Sequence, residues 1–506
     1  MKIRITFTIL TLCFLHNLIA QKKVFELVDG FSHRFSSKKE SYSLSNQVTN
    51  DLVLLFQEGN QIKGLHLDAA YKEVSKFNTE SLSSKYKNLL GYNVENSVYS
   101  IFFSNTNRSK FGVLEFDFSK KSSTIKILKD FKLKGEVFLE AVNYKNKMFL
   151  LTVTKKTSNL NLYSFDKDYN VEKKTVSLAK IKHPKSKNIY RQLQPAADPL
   201  NSDFNLFEES EISLKKIEPQ NPNVIETTSE VNKLYLIDNQ LIFSFDKDDK
   251  KTTVAFINLE TFETNLTSFD KPASREEGYK KSNSYIFENK IFQVASSNQK
   301  MKFTITDIST HEIIKQYAIT KEDSITFKNS PIIQEGGGMF PALTENRIRE
   351  MEKTAKYLRK ISSSNLGISV YKVNNEYNII LGGTKEINNV SVDAGGGGFA
   401  PGFGGGITIT TGNAGSQMVS VGFNPTYYAY NGYSSTKSTY INCLFDENFE
   451  HLEGDVQRNV YDNINDFEDT LGKRIKVVNV FIHYNNIHYG FFDADAKAYK
   501  IYTFQD

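Results

Sequence analysis

Few side chains in this chain stand at spacings that could do chemistry. The sharpest pair is His483 and His488, flanking Asn485-Asn486. If that Asn pair is a two-residue hairpin turn, Tyr484 pairs with Ile487 and His483 sits opposite His488, with Cβ atoms ~5 Å apart. Two imidazoles so placed could share one metal ion, with Asp493 or Asp495 as the acidic neighbours in sequence. The same spacing also fits a stacked surface pair without metal, and no cofactor is predicted.

Other motifs stop short of a reaction. Gly395-x-Gly397-x-x-Ala400 has the glycine spacing of a dinucleotide site but no strand before it and no helix after it. Ser434-x-x-Lys437 runs into a strand pattern and lacks its partner motifs. Asp246-Lys247-Asp248-Asp249 reads as a solvated hairpin turn, without the glycine and terminal Glu of a calcium loop. These residues leave catalysis unassigned.

A different chemistry is concentrated between Ala394 and Thr436, where no residue is charged in a chain that is 24% charged. Glycines there permit close backbone approach. Phe399, Phe403, Phe423, Tyr427, Tyr428 and Tyr430 are aromatic residues of the kind that anchor interfaces. The segment reads either as a partner-binding or self-associating surface, or as a cap packed on its own domain.

The elements that must hold these residues repeat. An apolar strand, a tight turn with Asn and a second apolar strand recur around Asn50, Asn96, Asn146, Asn239, Asn289, Asn375 and Asn486. Asn suits such turns because it tolerates positive φ. A third strand then ends in an acidic or amide residue, at Asp68, Asp117, Asp166, Asn258, Asp307 and Asp446. Asp68 to Asp117, Asp117 to Asp166 and Asn258 to Asp307 are each 49 residues apart. A period near 49 with four strands per unit resembles the β-propeller class, over roughly residues 22–506. That resemblance implies an all-β, seven-bladed propeller of four-stranded antiparallel blades. The last unit has three strands, and the N-terminal run Lys23–Val28 is expected to complete it.

Long spacers interrupt the repeat at about 179–230, 320–365, 384–436 and 456–474. The first carries five of the ten prolines, Pro184, Pro195, Pro199, Pro219 and Pro222. In a meander of four strands per blade, inter-blade connections and links between strands two and three leave on one face. All four spacers are therefore expected on that face. Within the second, Ile348, Met351, Ala355 and Leu358 predict an amphipathic helix over Leu343 to Ile361.

Composition and termini bound the partners. The chain has 506 residues, 39% apolar, with no Trp and two Cys. Lys2 and Arg4 precede an apolar run, Ile5 to Leu15, and Ala20 stands before Gln21, as in a secretory signal. Its removal takes the formal net charge from +5 to +3, too weak and too dispersed for nucleic-acid binding. It leaves Cys443 alone, so no internal disulfide. No later run is apolar enough to span a membrane as a helix. The expectation is an exported, periplasmic or extracellular domain over 21–506. It would act as a binding scaffold toward an envelope or extracellular protein, or toward itself. The alternative is a hydrolase or lyase acting on polysaccharide or peptide within the channel.

Overall fold

The structure, a computed structural model, describes residues 21–28, 31, 39–83, 85–86, 88–181, 188–194, 212–335, 348–384, 423–433, 438–472 and 474–504. The expected signal segment and residues Gly395–Ala400, Phe399, Phe403, Ser434 and Lys437 lie outside these residues.

Apolar runs become strands and the turn residues set where they reverse. After β1 (Gln21–Val28), the first sheet is β2 (Lys39–Ser45), β3 (Leu52–Glu58), β4 (Gln61–Leu67) and β5 (Glu73–Glu80). The second is β6 (Asn88–Glu95), β7 (Val98–Ser104), β8 (Phe111–Asp117) and β9 (Ser122–Ile127). The third is β10 (Glu136–Tyr144), β11 (Lys147–Thr154), β12 (Asn159–Phe165) and β13 (Val171–Ser177). The fourth is β14 (Lys215–Ile217), β15 (Asn232–Ile237), β16 (Gln240–Phe245), β17 (Lys251–Asn258) and β18 (Thr264–Asp270). The fifth is β19 (Lys281–Phe287), β20 (Lys290–Ser296), β21 (Lys300–Asp307) and β22 (Ile313–Thr320). The sixth gathers β23 (Ile332–Gln334), β24 (Arg349–Met351), β25 (Asn365–Val373), β26 (Glu376–Thr384) and β27 (Ser438–Phe445). The seventh holds β28 (Ile475–His483), β29 (Asn486–Asp493) and β30 (Ala498–Phe504). Among the described residues five short helices interleave: α1 (Ile189–Gln192), α2 (Ile225–Thr228), α3 (Thr354–Ser362), α4 (Pro425–Tyr433) and α5 (Val460–Thr470).

The all-β, propeller-like architecture read from the repeat is present, with seven sheets among the described residues. Hairpins between first and second strands turn on residues with positive φ, among them Asn96 at 54°, Asn146 at 61°, Asn375 at 66° and Asn485 at 59°. The acidic repeat has a local cause. Asp68 Oδ1 accepts from the Ala70 and Lys72 amides, and Asp307 Oδ1 from the Ser309 and Thr310 amides. Asp117, Asp166, Asn258 and Asp446 cap their turns in the same way. The residue type recurs because each third strand must end in a side chain that satisfies a turn amide.

β1 pairs antiparallel with β30, Gln21 against Phe504 through Val28 against Ala498, and completes the seventh sheet. The first sheet packs on the seventh: Leu52, Leu54, Phe56 and Leu65 share one cluster with Phe481, Phe492, Tyr499 and Ile501. Similar clusters join the first sheet to the second, the second to the third, the third to the fourth, and the fourth to the fifth and sixth, whereas the other face of the seventh sheet packs on α4 and α5.

Two expectations need correction, and both follow from the sixth sheet. Its outer edge does not come from the chain after β27. β23 pairs with β27, and β24 with β23, so the spacer at 320–365 supplies that edge in advance. The chain therefore leaves β27 on the face opposite the other spacers, and 456–474 starts there rather than on the common face. Gln457 bonds Asn374 and Glu376 at the β25–β26 turn, and α5 leads back toward β28. Finally, the helix expected over 343–361 is only α3. Its buried face is Thr354, Tyr357, Leu358 and Ile361, while Met351 lies in a strand and Ile348 is exposed. Arg349 to Met351 pair with β23 instead, because an open strand edge satisfies their backbone.

Candidate functional site

The axis of a propeller is where a site would form, and here the chain fills it with its own spacers. β14 adds to the inner edge of β15, parallel to it, so Lys215–Ile217 run down the axis from the spacer-bearing face. The chain turns at Pro219–Pro222 and returns as α2, which packs on β25 and β26. Gly367 permits this approach: a Cβ there would stand 3.1 Å from the Ile225 carbonyl oxygen. α4 lies against β28. A Cβ on its Gly432 would be 3.5 Å from Val224 Cγ2, so the two inserted pieces meet.

This arrangement places the predicted aromatic residues. Phe423 is buried against Tyr42 and Tyr92, with ring centroids 5.9 and 6.2 Å away. Tyr430 is buried on Tyr461 and donates to Asn465 and Glu468 of α5. Tyr427 and Tyr428 are half-buried neighbours, and burial pushes the Tyr428 phenol up to about 12. Of the described four, two anchor the inserted helix inside the protein and two remain partly accessible. Phe399 and Phe403 lie in the same spacer, outside the described residues.

His483 and His488 come together by a different register. The turn is Tyr484-Asn485, so His483 pairs with Asn486 and His488 with Phe481. A shift of two residues leaves both imidazoles on one side of the sheet, diagonal to each other, with ring centroids 5.7 Å apart. Both are buried rather than surface-stacked. They join the seventh sheet to the first. Ser45 Oγ lies 2.8 Å from His483 Nδ1, whose ring also donates to the Asn50 main chain. His488 Nε2 lies 2.6 Å from the Tyr71 hydroxyl and its Nδ1 3.1 Å from the Asn486 carbonyl oxygen. Burial lowers His483 to about 4 and His488 to about 3, so both are neutral at pH 7. Both His488 nitrogens are already hydrogen-bonded, and among the described residues no group of three or more His, Cys, Asp or Glu could hold a metal ion. The pair works as a polar seam.

A charged cluster between the fourth and fifth sheets was missed. Asp246, read as a solvated turn, is buried. Its Oδ1 accepts from Thr252 Oγ1 at 2.7 Å, and its Oδ2 from the Ser284 amide and hydroxyl at 3.1 and 2.6 Å. The fully buried Lys233 ammonium stands 3.6 Å from Oδ2 and donates to Asn283 Oδ1 at 2.7 Å. Burial pushes Lys233 down to about 8 against the pull of Asp246 and Glu230. Lys271 donates to the Asp246 carbonyl oxygen and to Ser282, and Lys247 to the Gln194 carbonyl oxygen. The sequence signal was a Lys entering an inner strand with an Asp just past its partner strand, which topology alone brings together. The cluster clamps two sheets on the spacer-bearing face.

No protein-family model matches the chain, and no curated protein matches it. Among solved structures, an ACO/RPE65 chimera aligns at 6% identity and TM-score 0.28, over 57% of this chain and 64% of that one. A Synechocystis apocarotenoid oxygenase variant aligns at 7% and 0.27, over 56% and 61%. AofleA from Arthrobotrys oligospora aligns at 8% and 0.24, over 73% and 84%. The chain thus matches about three-fifths of the length of the oxygenase structures. Likeness at this level carries no argument about activity.

Proposed function

We propose that the chain is an exported binding scaffold, a single propeller domain over 21–506 whose spacer-bearing face engages an envelope or extracellular protein. The observation that supports this reading is the filled axis. β14, α2 and α4 occupy the space where a channel enzyme would hold its substrate, and they are pinned there by buried aromatic and amide contacts. Recognition then falls to loops on a rigid frame. The uncharged spacer departs from and returns to that face, since Thr384 ends β26 there and Ser438 begins β27 there.

The test is capture from the native envelope fraction, read by mass spectrometry. Full-length bait is compared with bait lacking residues 394–420, which spares Phe423 and α4. The reading expects a partner held by full-length bait and released from the deletion. Equal capture by both would remove the uncharged spacer from the interface. No capture by either would overturn the scaffold.

A further inference from the structure

The tip of the first spacer emerges at the other mouth of the axis and builds a pocket there. A cavity of about 220 Å³ lies among Pro222, Ile237, Phe287 and Tyr371, with Glu288 and Lys372 on its rim. Its walls are the far ends of β15, β19 and β25 and the Pro219–Pro222 turn. The volume suits one apolar side chain rather than a drug-sized ligand. The rim is chemically specific. Lys372 Nζ stands 3.7 Å from Glu288 Oε1 and 4.0 Å from Glu447 Oε1, beyond hydrogen-bond reach of either. Glu288 Oε2 already accepts from Tyr377 and lies 3.4 Å from Lys290, whereas among the described residues Oε1 has only the long Lys372 approach. One donor and one acceptor of opposite charge therefore flank an apolar pocket, each with hydrogen-bonding capacity left.

We propose that this pocket, on the face opposite the spacers, binds an apolar residue of a peptide. The side chain fills the cavity, its N–H donates to Glu288 and its C=O accepts from Lys372. A main-chain amide is a neutral group that offers one donor and one acceptor together, beside the side chain that would fill the cavity, and it leaves the charge balance of the rim unchanged. This site is independent of the scaffold reading above.

The probe is N-acetyl-phenylalanine N-methylamide, titrated by ligand-observed NMR against the full-length protein. Saturable binding is expected, absent for N-acetyl-glycine N-methylamide. Ile237→Trp, which fills the cavity, should abolish it. Lys372→Met, which keeps the aliphatic stem, should weaken it at least five-fold, with an unchanged melting temperature showing that the fold is intact. Absence of saturable binding, or equal binding by Lys372→Met, would overturn the proposal. Tighter binding of free phenylalanine than of the blocked derivative would assign the pocket to a free amino acid and overturn the peptide reading.

Discussion

Two buried polar clusters hold neighbouring sheets together, and they meet the cost of burial in opposite ways. Between the fourth and fifth sheets, Lys233 and Asp246 stand as an ion pair. Between the seventh and first, His483 and His488 are neutral, each nitrogen of His488 taken by a hydrogen bond. The difference follows from the residue types. An ammonium with an ordinary pKa near 10.4 stays protonated at pH 7 even when burial lowers it to about 8, so it needs a counter-charge. An imidazole near 6.5 simply sheds its proton. The ion pair is therefore sensitive to loss of its partner, and the imidazoles are sensitive to acid.

The largest expected effect breaks the ion pair. Asp246→Ala removes the counter-charge of the buried Lys233 together with the bonds to Thr252 and Ser284, and should cost about 3–5 kcal/mol in urea unfolding. Lys233→Met in the same chain should recover most of that loss. Failure of the second substitution to rescue would show that the hydroxyl and amide bonds of Asp246, not its charge, hold the sheets.

Acid should act on the other cluster. Unfolded imidazoles take up protons near pH 6.5. Folded His483 and His488 do so only at about 4 and about 3. The unfolded state binds more protons in between, so stability is fully present above pH 6.5 and falls as pH drops through that window. The slope is about 1.4 kcal/mol per pH unit for each imidazole. Nearby Asp51 opposes the shift of His483, and Ser45 and Tyr71 hydroxyls face the rings without charge at these pH values. His488→Phe keeps the stacking on Phe481 and removes one titrating group. The variant's urea midpoint should fall less steeply from pH 6.5 to 4, and an unchanged slope would reject this account of the seam. The smallest effect is Ser45→Ala, which removes one neutral hydrogen bond to His483 and should cost about 1 kcal/mol at pH 7.

Much of the fold was legible because the repeat is written in turn chemistry. Asn with positive φ and Asp on turn amides recur where the backbone demands them, so strand order and the role of Lys23–Val28 followed. Helix α3 is shorter than the spacing of Ile348, Met351 and Leu358 implies, because the open edge of β27 recruits the preceding residues through β23. The spacers' path down the axis was not legible, since local pattern does not say which surface a polar, proline-rich segment will cover. The same limit hid the Lys233–Asp246 clamp, whose partners meet only once β15 and β16 pair. His483 and His488 were found as neighbours but misjudged as exposed, because the seam that buries them joins chain ends more than 400 residues apart, as Ser45 and His483 show.

The scaffold's envelope or extracellular partner is proposed to dock on the spacer-bearing face, and face-selective blocking is the direct test. Cys443 is buried and is the one free cysteine among the described residues, so introduced thiols can be labelled selectively. Thr106→Cys places a label on the exposed β7–β8 turn of the spacer-bearing face, and Val48→Cys places one on the exposed β2–β3 turn of the opposite face. Each variant is coupled to a bulky polymer maleimide and used as bait in the envelope fraction. The account predicts that partner capture is lost with the label at position 106 and kept with the label at position 48. Capture kept at 106 and lost at 48 would contradict it.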